Sequence, residues 1–168
     1  MRERSQQKGK DYVDNVKRWL VERPLLGLMP KLFGYSYDAS QRATKIGEEY
    51  FDFSLKLYEG EICKKILYVE CKYRDERKGI NINNEFKQFV KKVYTALKKC
   101  KGTEEYNDSE FIFIATIPPD DWRKFLNKKS KYFYDICDSC KDSDPEVIEH
   151  LANILHVLVL SNRIIGGG

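Results

Sequence analysis

Long apolar runs are missing from this chain of 168 residues: nothing in it approaches the roughly 20 consecutive apolar residues that a membrane span needs. The N-terminus, MRERSQQKGK, is charged where a secretory leader would be apolar. The sequence therefore predicts no membrane partner and a cytoplasmic protein. Cysteine is sparse, and its count of five is odd, which argues against a disulfide framework and for a reducing compartment. Histidine is rarer still: His150 and His156 are the only two, both far from the strand pattern described next, so a histidine general base is not supported. No internal repeat is present, and the net charge of +4 is mild.

What the chain does have is a globular composition, 42% hydrophobic and 13% aromatic, at a length that fits one domain with a core. Its most informative stretch is Ile66 to Tyr73. Leu67, Val69, Cys71 and Tyr73 share one parity of a strand, and Ile66, Tyr68, Glu70 and Lys72 share the other. Glu70 and Lys72 then project from one side, about 7 Å apart along the strand. Upstream, Tyr50 to Leu57 alternates as well, with Phe51, Phe53, Leu55 and Leu57 as its apolar face and Asp52 on the other. The turn signal Glu59-Gly60-Glu61 predicts an antiparallel hairpin that brings Asp52 beside Glu70 and Lys72.

The triplet E-x-K alone carries little, since it occurs three times. Glu76/Lys78 lies in a polar loop, and Glu85/Lys87 lies in a helical pattern, where residues two apart do not face each other. Glu70/Lys72 differs because it sits in an apolar strand preceded by a strand-borne aspartate.

Asp52, seventeen residues, Glu70-Cys71-Lys72 and then a helix resemble the PD-(D/E)xK nuclease superfamily, the restriction-endonuclease-like and Mrr-like proteins, over about residues 10 to 117. Phe51 stands where the motif's proline would, a position at which many members of the family dispense with proline. The resemblance implies an α/β fold, a central mixed sheet flanked by helices in αβββαβ order, as a single domain over residues 1–168. It implies a metal-dependent endonuclease that hydrolyses DNA phosphodiester bonds, with Asp52, Glu70 and Lys72 as catalytic residues and DNA as partner. A homodimer is expected if both strands are cut.

Two carboxylates about 4 Å apart repel by roughly 4 kcal/mol at an effective dielectric of 20, and a hard divalent cation removes that penalty. Mg²⁺ or Mn²⁺ is the implied cofactor, held by Asp52, Glu70 and the backbone carbonyl of Cys71, whose thiol points to the opposite layer. In the family an extra acid often follows an aromatic on the first helix; here that place is Val13, with Asp11 and Asp14 nearby. Their plainer reading is favourable charge at a helix N-terminus. Glu48, which shares parity with Asp52, is a rival third acid. Gln88 and Tyr94 resemble the Gln and Tyr that several Mrr-like nucleases carry after E-x-K, although Tyr94 also fits a core position.

Elsewhere, residues 1–9 read as disordered, and an amphipathic helix runs from Lys10 to Glu22, ended by Pro24. Residues 24–48 read as an insertion or packed loop, with room for a short helix over Asp38 to Ile46. A helix follows from Glu85 to Lys99, capped by Asn84 and striped with Phe86, Phe89, Val90, Val93, Tyr94 and Leu97. Phe111 to Thr116, apolar on both parities, reads as a central strand. Pro118 to Asp121 opens a helix into Trp122, Phe125 and Leu126, Asp144-Pro145 opens another to Leu155, and Val157 to Leu160 is a last strand.

Lys64, Lys65, Arg74, Arg77, Lys78, Lys91 and Lys92 are the expected nucleic-acid contacts, able to neutralise phosphates; a solvated basic surface is the plainer reading of the run alone. Cys137, Cys140, His150 and His156 have a zinc-like spacing but read better as thiols and unrelated histidines. The remaining alternatives are a nuclease acting on branched DNA, single strands or RNA, and a non-catalytic nucleic-acid- or protein-binding domain of the same fold. The chain stops at Gly166-Gly167-Gly168, which leaves room for further domains or subunits.

Overall fold

A computed structural model of the protein describes residues 2–22, 36–75, 81–120, 129–137 and 143–161. At its centre lies a five-stranded sheet made of β1 (Ser36–Ala39), β4 (Phe53–Glu59), β5 (Ile62–Lys72), β6 (Ser109–Ala115) and β7 (Leu155–Val159), in the spatial order β1-β4-β5-β6-β7. The first three are antiparallel neighbours, whereas β5, β6 and β7 run parallel. Parallel neighbours require crossovers, and these are the helices α2 (Asn83–Cys100) and α3 (Glu104–Asp108), then α4 (Lys129–Cys137) and α5 (Pro145–Ile154). These four described helices pack on one face, and α1 (Arg2–Glu22) packs on the other. The fold is α/β, with a central mixed sheet flanked by helices.

Burial follows from the strand patterns. β6 is buried at all seven positions: Phe111 and Phe113 face the α2 layer, and Ile112 and Ile114 face α1. β5 divides in the same way, Tyr68 toward α2 and Leu67, Val69 and Cys71 toward α1. Its hairpin with β4 turns at Gly60, whose φ of 64° suits glycine.

The alternation of Tyr50 to Leu57 breaks at Asp52. Phe53, Leu55 and Leu57 face α1, but Phe51 belongs to the opposite core, where its ring meets Tyr68, Phe89 and Phe111 at centroid distances of 5.7, 6.1 and 5.3 Å. The expected single strand is therefore two, with Asp52 between β3 (Glu49–Phe51) and β4. β3 pairs with β2 (Thr44–Ile46) in a separate hairpin lying on α2. Its turn residue Gly47, at φ 53°, sits so close to the helix that a Cβ would lie 2.3 Å from the Ala96 carbonyl oxygen.

Several expectations need correcting. α1 begins at Arg2, because the polar residues before Lys10 are mostly good helix formers, and Gln7 bonds Asp11 one turn on. Residues 36–46 form β1 and β2 instead of a short helix, since β1 finds a ladder partner in β4. Asn84 is inside the first turn of α2; Ile82 occupies the cap, without a side-chain cap bond. Residues 129–137, not predicted as regular structure, form α4. Asp144 caps α5 as expected, accepting from the N–H groups of Glu146 and Val147, and β7 begins two residues early, at Leu155. The expected helix through Trp122, Phe125 and Leu126 lies outside the described residues, as do residues 24–35 of the expected loop.

Candidate active site

The end of the β4/β5 ladder gathers the acids. Phe53 and Val69 are its last pair, so Asp52 and Glu70 lie one step beyond. Glu70 has the parity of Tyr68, the side that faces α2, whereas Asp52 stands at the break in the alternation. The Asp52 carboxylate turns back onto β5, where its Oδ2 accepts the Cys71 N–H at 2.8 Å. A side chain thus takes the place of a ladder partner that Phe51 vacates by turning into the other core. In an extended strand the N–H and C=O of one residue point to the same edge, so the Cys71 carbonyl faces the Asp52 side. Lys72 uses the other edge, where its carbonyl accepts from the Thr116 N–H at 3.2 Å.

Glu70 is 7% exposed. Burial, and then the negative charge of Asp52, push its carboxyl up to about 7, against the pull of Lys92 and of the Lys72 charge. Lys92, from α2, donates to Glu70 Oε2 at 2.5 Å, and its ammonium stands 4.5 Å from the centroid of the Phe51 ring. Two carboxylates, one carbonyl and two lysines therefore share one corner of the sheet. The acceptors are all hard oxygens, and Mg²⁺ typically takes only one or two carboxylates while keeping several waters. This donor set fits such an ion, although among the described residues no group of three or more His, Cys, Asp and Glu side chains gathers as a metal cage.

The other expected acids lie elsewhere. Asp11 and Asp14 are exposed on α1, the helix of the opposite face, and Asp11 accepts from Gln7. Glu48 is at the β2/β3 turn with φ 71°, 3.7 Å from Lys99; the turn reverses the chain, so parity with Asp52 does not extend to it. Gln88 is exposed on α2, one turn before Lys92. Tyr94 is buried, and its hydroxyl accepts the Asp144 N–H at 2.8 Å, a structural role.

Among the described residues, the cations do not form the single patch that their closeness in sequence suggested. Lys65 is bound to Glu110 at 2.9 Å, and Arg74 pairs with Glu85. Lys64 is exposed but six residues from Glu70 along β5, about 20 Å away. Lys91 is exposed on α2, and Arg77 and Lys78 lie outside the described residues. Lys92, expected to contact phosphate, belongs to the acid site. Its sequence signal was available: three residues after Phe89 and four before Ala96, it borders the buried stripe of α2. Cys137, His150 and His156 are not brought together, since Cys137 is in the core, His150 bonds the Tyr106 carbonyl and His156 bonds Glu110; Cys140 lies outside the described residues.

No described helix is long and apolar enough to cross a membrane. No family model and no curated protein matches the chain. Among solved structures, it is similar to a Moraxella osloensis Cap4 SAVED/CARF-domain containing receptor, at 11% identity and a TM-score of 0.42. That likeness covers 95% of this chain and 35% of the other, so this chain spans about a third of that protein's length.

Proposed function

We propose that the protein is a metal-dependent nuclease of the PD-(D/E)xK type, hydrolysing phosphodiester bonds in DNA through Asp52, Glu70 and Lys72. The observation that carries this reading is the meeting of Asp52, at the break before β4, with a buried Glu70 on β5, with Lys72 two residues farther along the same strand. Asp52, Glu70 and the Cys71 carbonyl would hold Mg²⁺ or Mn²⁺. When bound, such an ion supplies Lewis-acid charge to a phosphoryl oxygen and lowers the pKa of water.

The chain's own residues do the rest. The Cys71 N–H fixes the Asp52 carboxylate, so this acid is oriented before substrate arrives. Lys72 brings a fixed positive charge to where negative charge grows on the phosphoryl oxygens, and positions the attacking water. Glu70, walled by the α2 layer, keeps its carboxyl out of bulk solvent.

Asp52→Ala, Glu70→Ala and Lys72→Ala are each expected to lower Mg²⁺-dependent cleavage at least a hundredfold while far-UV circular dichroism stays unchanged. Full cleavage by the Lys72 variant would rule the mechanism out. Duplex, single-stranded, branched and RNA substrates, compared side by side, identify the polymer. A second reading, a nucleic-acid- or protein-binding domain without turnover, is favoured by the position of Asp11 and Asp14 on the opposite face, which leaves the site with two carboxylates. Calorimetric Mn²⁺ titration separates the two, because a binding module has no metal site that depends on Asp52.

A further inference from the structure

The role of Lys92 goes beyond that reading and rests on it. We propose that Lys92 is a built-in cation that competes with the divalent metal for Glu70, so that metal loads fully only when a polyanion draws the ammonium away. Its side chain is 26% exposed, and two contacts hold it: the 2.5 Å bond to Glu70 Oε2 and the face of the Phe51 ring at 4.5 Å. Charge-assisted bonds of this kind are among the stronger polar contacts in proteins, and an aromatic face adds to the attraction.

Phe51 is itself fixed, completely buried among Tyr68, Phe89 and Phe111. The break in the chain at Asp52 therefore does two things at once. It sends the aspartate to the Cys71 N–H, and it sends the preceding ring beneath the ammonium. Lys72 stands differently: its charge reaches Glu70, whereas the hydrogen bond to that carboxylate comes from Lys92.

An ion shared by Asp52 and Glu70 must divide the Glu70 oxygens with this ammonium or displace it. Either course weakens metal binding, because like charges at this range repel in a site shielded from water. The ammonium also has an alternative partner of the right sign. A backbone phosphate approaching the Asp52/Glu70 corner offers it anionic oxygens, which frees Glu70 Oε2. Metal and nucleic acid then promote each other's binding, and linkage makes the effect equal in both directions.

The test compares Mn²⁺ affinity, by calorimetry at pH 8, in the wild type, Lys92→Met, Lys92→Gln and Lys92→Arg, with Asp52→Asn as reference. Methionine keeps an unbranched stem against Phe51, glutamine keeps polarity without charge, and arginine keeps the charge. The proposal expects Mn²⁺ to bind Lys92→Met and Lys92→Gln at least tenfold more tightly than wild type, with Lys92→Arg within about threefold. If only one of the neutral variants folds, that variant decides.

Equal or weaker affinity in the neutral variants, with binding still abolished by Asp52→Asn, overturns the competition and leaves the nuclease reading standing. Absence of Mn²⁺ binding in the wild type and in every variant overturns both.

Discussion

Glu70 and Glu110 make a natural experiment within one sheet. Both are buried glutamates, on the parallel neighbours β5 and β6, and each bonds a lysine, at 2.5 Å in one case and 2.9 Å in the other. Burial raises both carboxyls, yet they settle on opposite sides of the ordinary value. Around Glu110, hydrogen bonds from His156 at 2.9 Å and from Lys65 overcome burial and bring the carboxyl down to about 2. Around Glu70 the second neighbour is another carboxylate, Asp52, and the balance ends at about 7. In the first, the hydrogen bonds from His156 and Lys65 both favour the ionised carboxylate. The second sets burial and a second carboxylate against two lysines, and burial with Asp52 prevails, so its carboxyl holds a proton more tightly; groups perturbed in this way are often functional.

Removing each acid should separate the two most sharply. Glu110→Ala leaves Lys65 and His156 beside a buried gap, and because these two are 36% and 26% exposed and can turn to water, the cost is on the order of 1.5–3 kcal/mol, that of lost hydrogen bonds to a charged group. Glu70→Gln keeps the shape and an oxygen for Lys92 while ending the repulsion with Asp52, so its cost should stay below about 1 kcal/mol. Urea unfolding at pH 7 measures both. Losses of equal size would mean that Glu70 is as much a structural ion site as Glu110.

The next effect is in the pH dependence, where the signs oppose. Folding raises the Glu70 carboxyl from 4.5 to about 7, so the native state holds that proton more tightly. Its contribution to stability therefore declines as pH rises from about 4.5 to about 7, by on the order of 3 kcal/mol, and is level above that. For Glu110 the folded value is depressed to about 2; its contribution is complete above 4.5 and is lost as pH falls toward 2. Unfolding curves from pH 3 to 8 should show both limbs, and Glu70→Gln should flatten the upper one while leaving the acid limb. An upper limb that survives the substitution would assign it to another group.

How much of this the sequence carries depends on whether a contact is local. The β4/β5 hairpin was readable because Gly60 marks its turn and Leu67, Val69 and Cys71 keep a period of two; β6 was readable because both parities are apolar. The break at Asp52 was not, since Phe51 and Phe53 look alike in a pattern. Which layer takes each ring is decided by Tyr68, Phe89 and Phe111, far away along the chain. The ion pairs of two of the cations expected to contact phosphate, Lys92 and Lys65, escaped the pattern for the same reason. Lys92 meets an acid 22 residues before it, and Lys65 meets one 45 residues after it. A lysine in a basic run looks solvated until the strand order puts a buried glutamate beside it. That Asp52 comes to the end of β5 follows from one turn, while its bond to the Cys71 N–H follows from the break; Asp11, Asp14 and Glu48 drew on a helix position and a parity that the three-dimensional arrangement does not preserve.

The smallest effect belongs to the cations that take no part in either acid site. Lys64 and Lys91 are both exposed, on β5 and α2, and alanine at either should leave the urea midpoint unchanged. Their roles should differ only toward nucleic acid. Lys91 is adjacent in sequence to the lysine that bonds Glu70, whereas Lys64 is about 20 Å down the strand from that acid. Each phosphate contact contributes about 0.9 to the slope of log affinity against log salt. Lys91→Ala should therefore reduce that slope for a labelled duplex by about one contact, and Lys64→Ala should leave it as in the wild type, in anisotropy titrations at several salt concentrations. The reverse pattern would move the nucleic-acid path away from the Asp52/Glu70 corner, because a polymer tracked by Lys64 and not by Lys91 would run at the far end of β5.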